Sequence, residues 1–238
     1  MSSSPAPPTD ETLPQGAAKV VAVRSMFDAI APRYDLVNRL MTFGLDRGWR
    51  KRTVRSLTLS PGDVVLDIAC GTGDLCRDLA TGGYRPVGID LSAGMLHHAR
   101  TTAPLVHGDA LSLPVADGSL DGAVSGFALR NFAELPALFA ALARAVRPGG
   151  RIALLDVARP NQPLLRAGHA VYFGHVVPRI GGLLSDGAAY RYLPRSVAYL
   201  PPTTEILDEL RGSGFTAVER HLLTGGITQL ITATRSPA

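Results

Sequence analysis

The sequence predicts an α/β protein built on a doubly wound, mostly parallel sheet of seven strands that closes with a C-terminal antiparallel hairpin. Three observations predict it. Short apolar, β-branched runs alternate with amphipathic helical stretches from residue 61 to residue 157, the pattern of strands joined by crossover helices. The first run leads into DIACGTGDL (67–75), an acid and a small-residue turn that opens a helix. Near the C-terminus two alternating runs surround TGG, as the strands of a hairpin do.

Taken in order, VVLDI (64–68) is a buried strand and GDLCRDLA a helix start. RPVGID (85–90) is the second strand, and SAGMLHHAR (92–100) a helix for which Ser92 is a suitable N-cap. PLVHGDA (104–110) and LDGAVSGFAL (120–129) are the third and fourth strands. LPALFAALARAV (135–146) is an amphipathic helix stopped by RPGG, after which RIALLDV (151–157) is the fifth strand. TTEILDELRGSGF (203–215) is a further helix, and TAVERHLLTGGITQLITAT (216–234) supplies the hairpin. Ahead of the sheet, residues 20–57 read as helical with a break near Pro32, forming an N-terminal cap. Residues 158–202, irregular, apolar and rich in glycine and proline, read as a lid inserted over the site. The Pro/Ser/Thr-rich stretch MSSSPAPPTDETLPQG lacks the segments of a signal peptide, so residues 1–19 are expected to be a disordered tail and 20–238 one domain.

Composition narrows the class. In 238 residues, 46% hydrophobic content supports one sizeable core. The net charge of +4 comes without a basic run interleaved with aromatics, which argues against nucleic acid as a partner. Cys70 and Cys76 are spaced C-x5-C with no histidine cluster, so neither a zinc site nor a disulfide framework is expected, and a reducing cytoplasm is. No apolar run reaches the length of a bilayer span.

The opening turn is expected to hold a nucleotide, because ligands of such sheets bind beyond the carboxyl ends of the strands. A dinucleotide fingerprint is G-x-G-x-x-G; here Gly71 and Gly73 supply G-x-G but position 76 is cysteine. Asp67 near the strand end would repel a pyrophosphate and favour an ammonium or sulfonium. Asp74 adds negative charge where a pyrophosphate needs the bare helix N-terminus. Asp90 ends the second strand, placed to accept both ribose hydroxyls, and Asp109 at the end of the third is placed to meet a base edge. Three acids at three successive strand ends describe a pocket for a cationic nucleoside derivative in preference to NAD.

This series of strand, acid, GTG, strand, acid and GDA resembles the Rossmann-like class I S-adenosylmethionine-dependent methyltransferases. Their first motif, D/E-x-G-x-G-x-G, appears here as DIACGTG, with Ala69 in place of the first glycine. The resemblance implies S-adenosyl-L-methionine as cofactor, no metal, and a cofactor-binding set of Asp67, Ala69, Gly71, Thr72, Gly73, Asp90, Leu91, Met95, Asp109, Ala110 and Gly126. FDAIAPRYDLVNRLMTFGLDRGWR (27–50) further resembles the N-terminal signature of the ubiquinone/menaquinone biosynthesis C-methyltransferases, approximately Y-D-x-M-N-x-x-x-S-x-G-x-x-R-x-W. Tyr34, Asp35, Asn38, Gly44, Arg47 and Trp49 match it, and Val37 and Thr42 depart. FALRNF (127–132) resembles that family's F-G-L-R-N segment, and VVPRIGGLL and AAYRYLPRSVAYLP resemble its lid. LLDVARP, with Asp156, departs from the family's usual Glu and Ser, and the ending GITQLITATR departs from GVVALHRG.

The resemblance implies C-methylation of a prenylated quinol ring, demethylmenaquinol to menaquinol in first place. A benzoquinol of the ubiquinone pathway and a small molecule of secondary metabolism are the alternatives; a module that binds the cofactor without transfer is disfavoured by Asp67, Asp90 and LRN together. Arg130 is the candidate cation beside the developing oxyanion, Asn131 a hydrogen-bonding partner of a quinol oxygen, and Tyr34 a side chain closing over cofactor or substrate. His175, and after it His169, is the candidate base. Leu164, Leu165, Val171, Tyr172, Phe173, Val176 and Val177 are candidates to line a prenyl channel, with brief contact at the cytoplasmic face of a membrane; a homo-oligomer is left open. On this reading Arg130→Ala keeps cofactor affinity and loses turnover.

Overall fold

A computed structural model of the chain describes residues 14–158, 196 and 199–237. Within them seven strands form one sheet in the order β3-β2-β1-β4-β5-β7-β6. The strands are β1 (Val64–Ile68), β2 (Arg85–Asp90), β3 (Leu105–His107), β4 (Leu120–Gly126), β5 (Val146–Val157), β6 (Phe215–Leu223) and β7 (Thr228–Arg235). β1 to β5 pair in parallel, and β7 pairs antiparallel with both β5 and β6. The order reverses between β1 and β4, which opens a crevice at the carboxyl ends of those strands.

Helices cover both faces. Before the sheet lie α1 (Gly16–Ile30), α2 (Tyr34–Met41) and α3 (Asp46–Ser56); then come α4 (Asp74–Thr81), α5 (Ala93–His97), α6 (Leu135–Ala145) and α7 (Thr203–Gly212). Strand alternation splits the core. Leu66 and Ile68 pack towards Leu138, Phe139 and Leu142 of α6 and Ile206 and Leu210 of α7. Val65 and Val124 pack on the opposite face, towards Trp49 of α3 and Leu75 and Leu79 of α4.

Several boundaries differ from the sequence reading, each for a local reason. α1 opens at Gly16, inside the stretch expected to be a disordered tail, because Lys19 is buried against the body of the protein. RPGG does end α6, yet it lies within β5, where the pairing with β4 shifts register between Leu120 and Gly122. A Cβ on Gly150 would sit 2.7 Å from the Asp121 carbonyl oxygen and 2.5 Å from a Val146 methyl, so the bulge needs a residue without a side chain there. β4 stops at Gly126 and LRN forms a 3-10 turn, Leu129–Asn131. Ser92 caps α5 as expected, accepting from Met95 N at 3.0 Å. Apart from Ala158, Ser196, Tyr199, Leu200, Pro201 and Pro202, the segment expected to be a lid lies outside the described residues.

Candidate functional site

The crevice at the β1/β4 reversal is one face of a pocket. Its sheet side carries Ala69 and Gly71 from the turn after β1, Asp90 and Leu91 from the end of β2, Met95 from α5, Asp109 and Ala110 after β3, and Gly126 at the end of β4. Tyr34 of α2 and Asn131 of the LRN turn lie on the same wall.

Asp90 organises this wall. One carboxylate oxygen accepts from Gly71 N at 2.7 Å and the other from Ser92 N at 2.8 Å. Each oxygen keeps a further lone pair, so two hydroxyl donors can still be accepted. Burial raises its pKa above the usual carboxylate range, against the two backbone amides that favour the charged form. Asp109 accepts from Leu111 N at 2.9 Å, capping the short turn that brings Ala110 to the wall. Tyr34 meets Phe27 edge to face at 5.9 Å between ring centroids, and burial raises its phenol pKa, so it holds its proton and acts as a donor.

The turn itself is strained. Ala69 has φ +51 and Phe127, beyond β4, φ +61. Non-glycine residues in this region cost on the order of 1–3 kcal/mol and persist only where the surroundings hold them. Ala69 therefore bears a penalty that the glycine of the usual motif avoids. Gly73, at φ +80, caps α4, and a Cβ there would lie 2.7 Å from a Thr101 methyl.

Three residues expected at the cofactor, Asp67, Thr72 and Gly73, and the expected catalytic Arg130 stand behind the wall. Asp67 shares its strand face with Val65, so it points under α4, where Cys76 Sγ donates to one oxygen at 3.3 Å. Its other oxygen has no hydrogen-bond partner among the described residues, and burial pushes its pKa up to about 7. Thr72 donates to Asp35 of α2 at 2.5 Å, and Gly73 serves backbone geometry. Arg130 is buried: Nη1 meets Asp156 Oδ1 at 2.5 Å, Nε donates to Ser196 Oγ at 3.1 Å, and its own N–H reaches Asp156 Oδ2 at 3.2 Å. The guanidinium expected at an oxyanion is instead a tie between the LRN turn, the end of β5 and Ser196. Asp74 is not the free negative charge expected to repel a pyrophosphate: Arg50 at 3.0 Å and Arg77 neutralise it. His175, His169 and the apolar residues expected along a prenyl channel lie outside the described residues.

The helical cap expected over residues 20–57 includes α1, but its place as a wall of the pocket was not expected. Val20, Val23, Arg24 and Phe27 form the side of the pocket facing the sheet. At one end of the helix Asp28 accepts from Ser92 Oγ at 2.6 Å and Gly94 N at 2.9 Å. Towards the other end Lys19 Nζ donates to the Phe132 carbonyl at 2.6 Å and sits 3.9 Å from the Tyr199 ring centroid. The signal was a helix with apolar residues at mixed spacing; which side they faced was not written in it.

The half-satisfied Asp67 gives a pH prediction. A carboxyl whose pKa is about 7 when folded, against about 4 unfolded, binds more protons in the native state between those values. Its contribution to stability is therefore present below about pH 4 and lost as pH rises through about 7. Asp67→Asn is expected to remove that slope and to be more stable than the wild type at about pH 8, by on the order of a few kcal/mol. Urea midpoints at several pH values check this; equal slopes in the two proteins would refute it.

Comparison with known proteins agrees with the fold and the motif placement. The ubiE/COQ5 methyltransferase family matches residues 15–235. The chain is 43% identical over 222 residues to the ubiquinone/menaquinone biosynthesis C-methyltransferase UbiE of Syntrophotalea carbinolica, covering 90% of this chain and 94% of that one. It is 42% identical over 221 residues to the demethylmenaquinone methyltransferase of Roseiflexus castenholzii, covering 89% and 92%. Among solved structures, phosphoethanolamine N-methyltransferase 2 of Haemonchus contortus, in complex with S-adenosyl-L-methionine, shares the fold with a TM-score of 0.60 at 16% identity, over 80% of this chain and 53% of that one. With the family's pattern matched from end to end of the sheet, the chain belongs to the ubiE/COQ5 methyltransferase family.

Proposed function

We propose that this chain is an S-adenosylmethionine-dependent C-methyltransferase acting on a prenylated quinol, with demethylmenaquinol as preferred acceptor. The observation that carries the reading is a convergence. Tyr34 and Asn131, from the two segments most specific to the quinone-biosynthesis family, share one pocket with Gly71, Asp90 and Met95 of the nucleoside-type wall. The names of the relatives, one for ubiquinone and menaquinone and one for demethylmenaquinone, support the same substrate class.

The residues present fit the cofactor. Asp90 retains acceptor capacity for the ribose hydroxyls after its two backbone bonds, and the apolar surfaces of Met95, Leu91 and Ala110 suit an adenine ring. A Cβ on Gly71 would project to within 3.5 Å of Met95 Cε, into the space a ligand would use. Asp90 supplies the acidic side of the wall, and Asp67, held near neutrality by burial, stands behind the turn. When bound, S-adenosylmethionine supplies an electrophilic methyl group on a sulfonium centre.

On the acceptor side, a hydroquinone carbon becomes nucleophilic when a neighbouring hydroxyl loses its proton. Tyr34, held as a phenol, and the Asn131 amide donate hydrogen bonds to the oxygen on which charge develops. Phe27, Phe127 and Phe132 exclude water from the same space, which strengthens those bonds and holds the ring in place. Arg130 positions Asn131 through its bonds to Asp156 and Ser196 and does not touch the ring. His175 or His169 takes the hydroxyl proton. Among the described residues no helix is long and apolar enough to cross a membrane. A prenyl-bearing quinol would be met by transient contact with a membrane surface.

The test is transfer of labelled methyl from S-adenosylmethionine to reduced demethylmenaquinone, its ubiquinone-pathway counterpart and tail-less analogues. Label is expected chiefly in the first. Label entering none of the quinols removes the quinol reading, and preference for a tail-less acceptor would favour a small-molecule substrate instead.

A further inference from the structure

The outer face of α2 reverses the usual amphipathic arrangement. Val37 and Met41 are buried towards the protein, while Leu36 is 52% exposed and Leu40, one turn on, 44%. The stripe continues into the following turn, where Phe43 is 77% and Leu45 43% exposed. Arg33 and Arg39, three residues before and three after Leu36, are exposed on either side of it, and Arg47 and Lys51 are exposed on α3. Residues 31–55 hold seven arginines and lysines against two aspartates, a larger positive excess than the net +4 of the whole chain. Both aspartates are engaged inward, Asp35 with Thr72 and Asp46 with Thr42 and Arg50.

We propose that this face of α2 and the turn after it docks on an anionic lipid surface. Short apolar side chains flanked by arginines suit a helix lying in the plane of a bilayer interface, with leucines at the acyl boundary and guanidinium groups among the phosphates. A second copy of the chain is a poor occupant: a two-fold contact would set one basic segment against the other. The stripe is also too narrow to bury the roughly 800 Å² per partner of a standard protein interface. The same helix presents Tyr34 to the pocket from its inner side, so a docked molecule holds the pocket close to the lipid. The inference deepens the quinol reading, on which its biological sense rests, but the surface stands on its own residues.

Sedimentation with vesicles tests it. The full chain is expected to bind vesicles of phosphatidylcholine and phosphatidylglycerol in equal parts, to bind pure phosphatidylcholine vesicles far more weakly, and to be released by salt. Arg39→Gln is expected to weaken binding to the mixed vesicles roughly fivefold. The double variant Leu36→Ser/Leu40→Ser is expected to weaken it by at least about tenfold. Because these side chains are exposed, the variants are expected to keep wild-type turnover on a tail-less, water-soluble quinol. Absent vesicle binding, or binding that ignores the substitutions, overturns the proposal. So does a concentration-dependent dimer that the double variant dissolves. Vesicle binding lost in the variants, in a protein that methylates no quinol, supports the docking surface and removes the quinol reading alone.

Discussion

Arg130→Ala is expected to lower stability by about 3–5 kcal/mol, because it leaves the Asp156 carboxylate charged and uncompensated in the core. The side chains of Arg130 and Asp156 are 8% and 0% exposed, and among the described residues the carboxylate's partners are the Arg130 guanidinium, the Arg130 N–H and its neighbour Val157 N. For a chain of this size the loss corresponds to a fall of roughly 6–20 °C in melting temperature. Arg130→Lys is expected to rescue little, since an ammonium cannot serve Asp156 and Ser196 together with the directed donors of a guanidinium. Replacing both partners by apolar residues, as in Arg130→Met/Asp156→Leu, is expected to recover much of the stability. Thermal and urea unfolding of the single and double variants measure this. A single variant that unfolds like the wild type but has lost turnover would return the guanidinium to the reacting atoms, as the sequence had implied.

Asp90→Ala is expected to abolish useful cofactor binding while the sheet stays folded. The substitution removes the acceptor of Gly71 N and of Ser92 N, and with it the groups proposed to take the ribose hydroxyls. Hydrogen bonds to a charged group contribute about 1.5–3 kcal/mol each, so loss of two from a bound nucleoside weakens affinity at least about a hundredfold. Asp90→Asn is expected to fall between, because one amide end meets Ser92 N as an acceptor while the other faces Gly71 N donor to donor. Calorimetry with S-adenosylhomocysteine, with circular dichroism to follow the fold, checks both. Undiminished affinity in Asp90→Ala would place the nucleoside elsewhere.

Much of the fold was legible because its signals are local. VVLDI and RPVGID are strands to the residue, and Ser92 caps its helix, since β-branched runs and side-chain caps act within a few residues. The boundary at RPGG was misread because a bulge lets proline and glycine sit inside a strand when a long-range partner, here β4, tolerates the extra residues. α1 was legible as a helix but not as a wall of the pocket. Its place is fixed by Lys19 with Phe132 and by Asp28 with Ser92, contacts between residues far apart in the chain.

The sequence by itself determined the alternation of strands and helices, the acid at each of three strand ends and the segments that mark the family. Only the tertiary structure decided where those side chains point. Asp67 and Asp90 share one face of the sheet, yet Asp67 stands inside β1 and is covered by α4, while Asp90 is the last residue of β2 and reaches the Gly71 amide on the pocket wall. Arg130 read as a cation free to act on a ligand, and the fold closed it onto Asp156, because a buried charge must find its partner wherever the packed sheet supplies one.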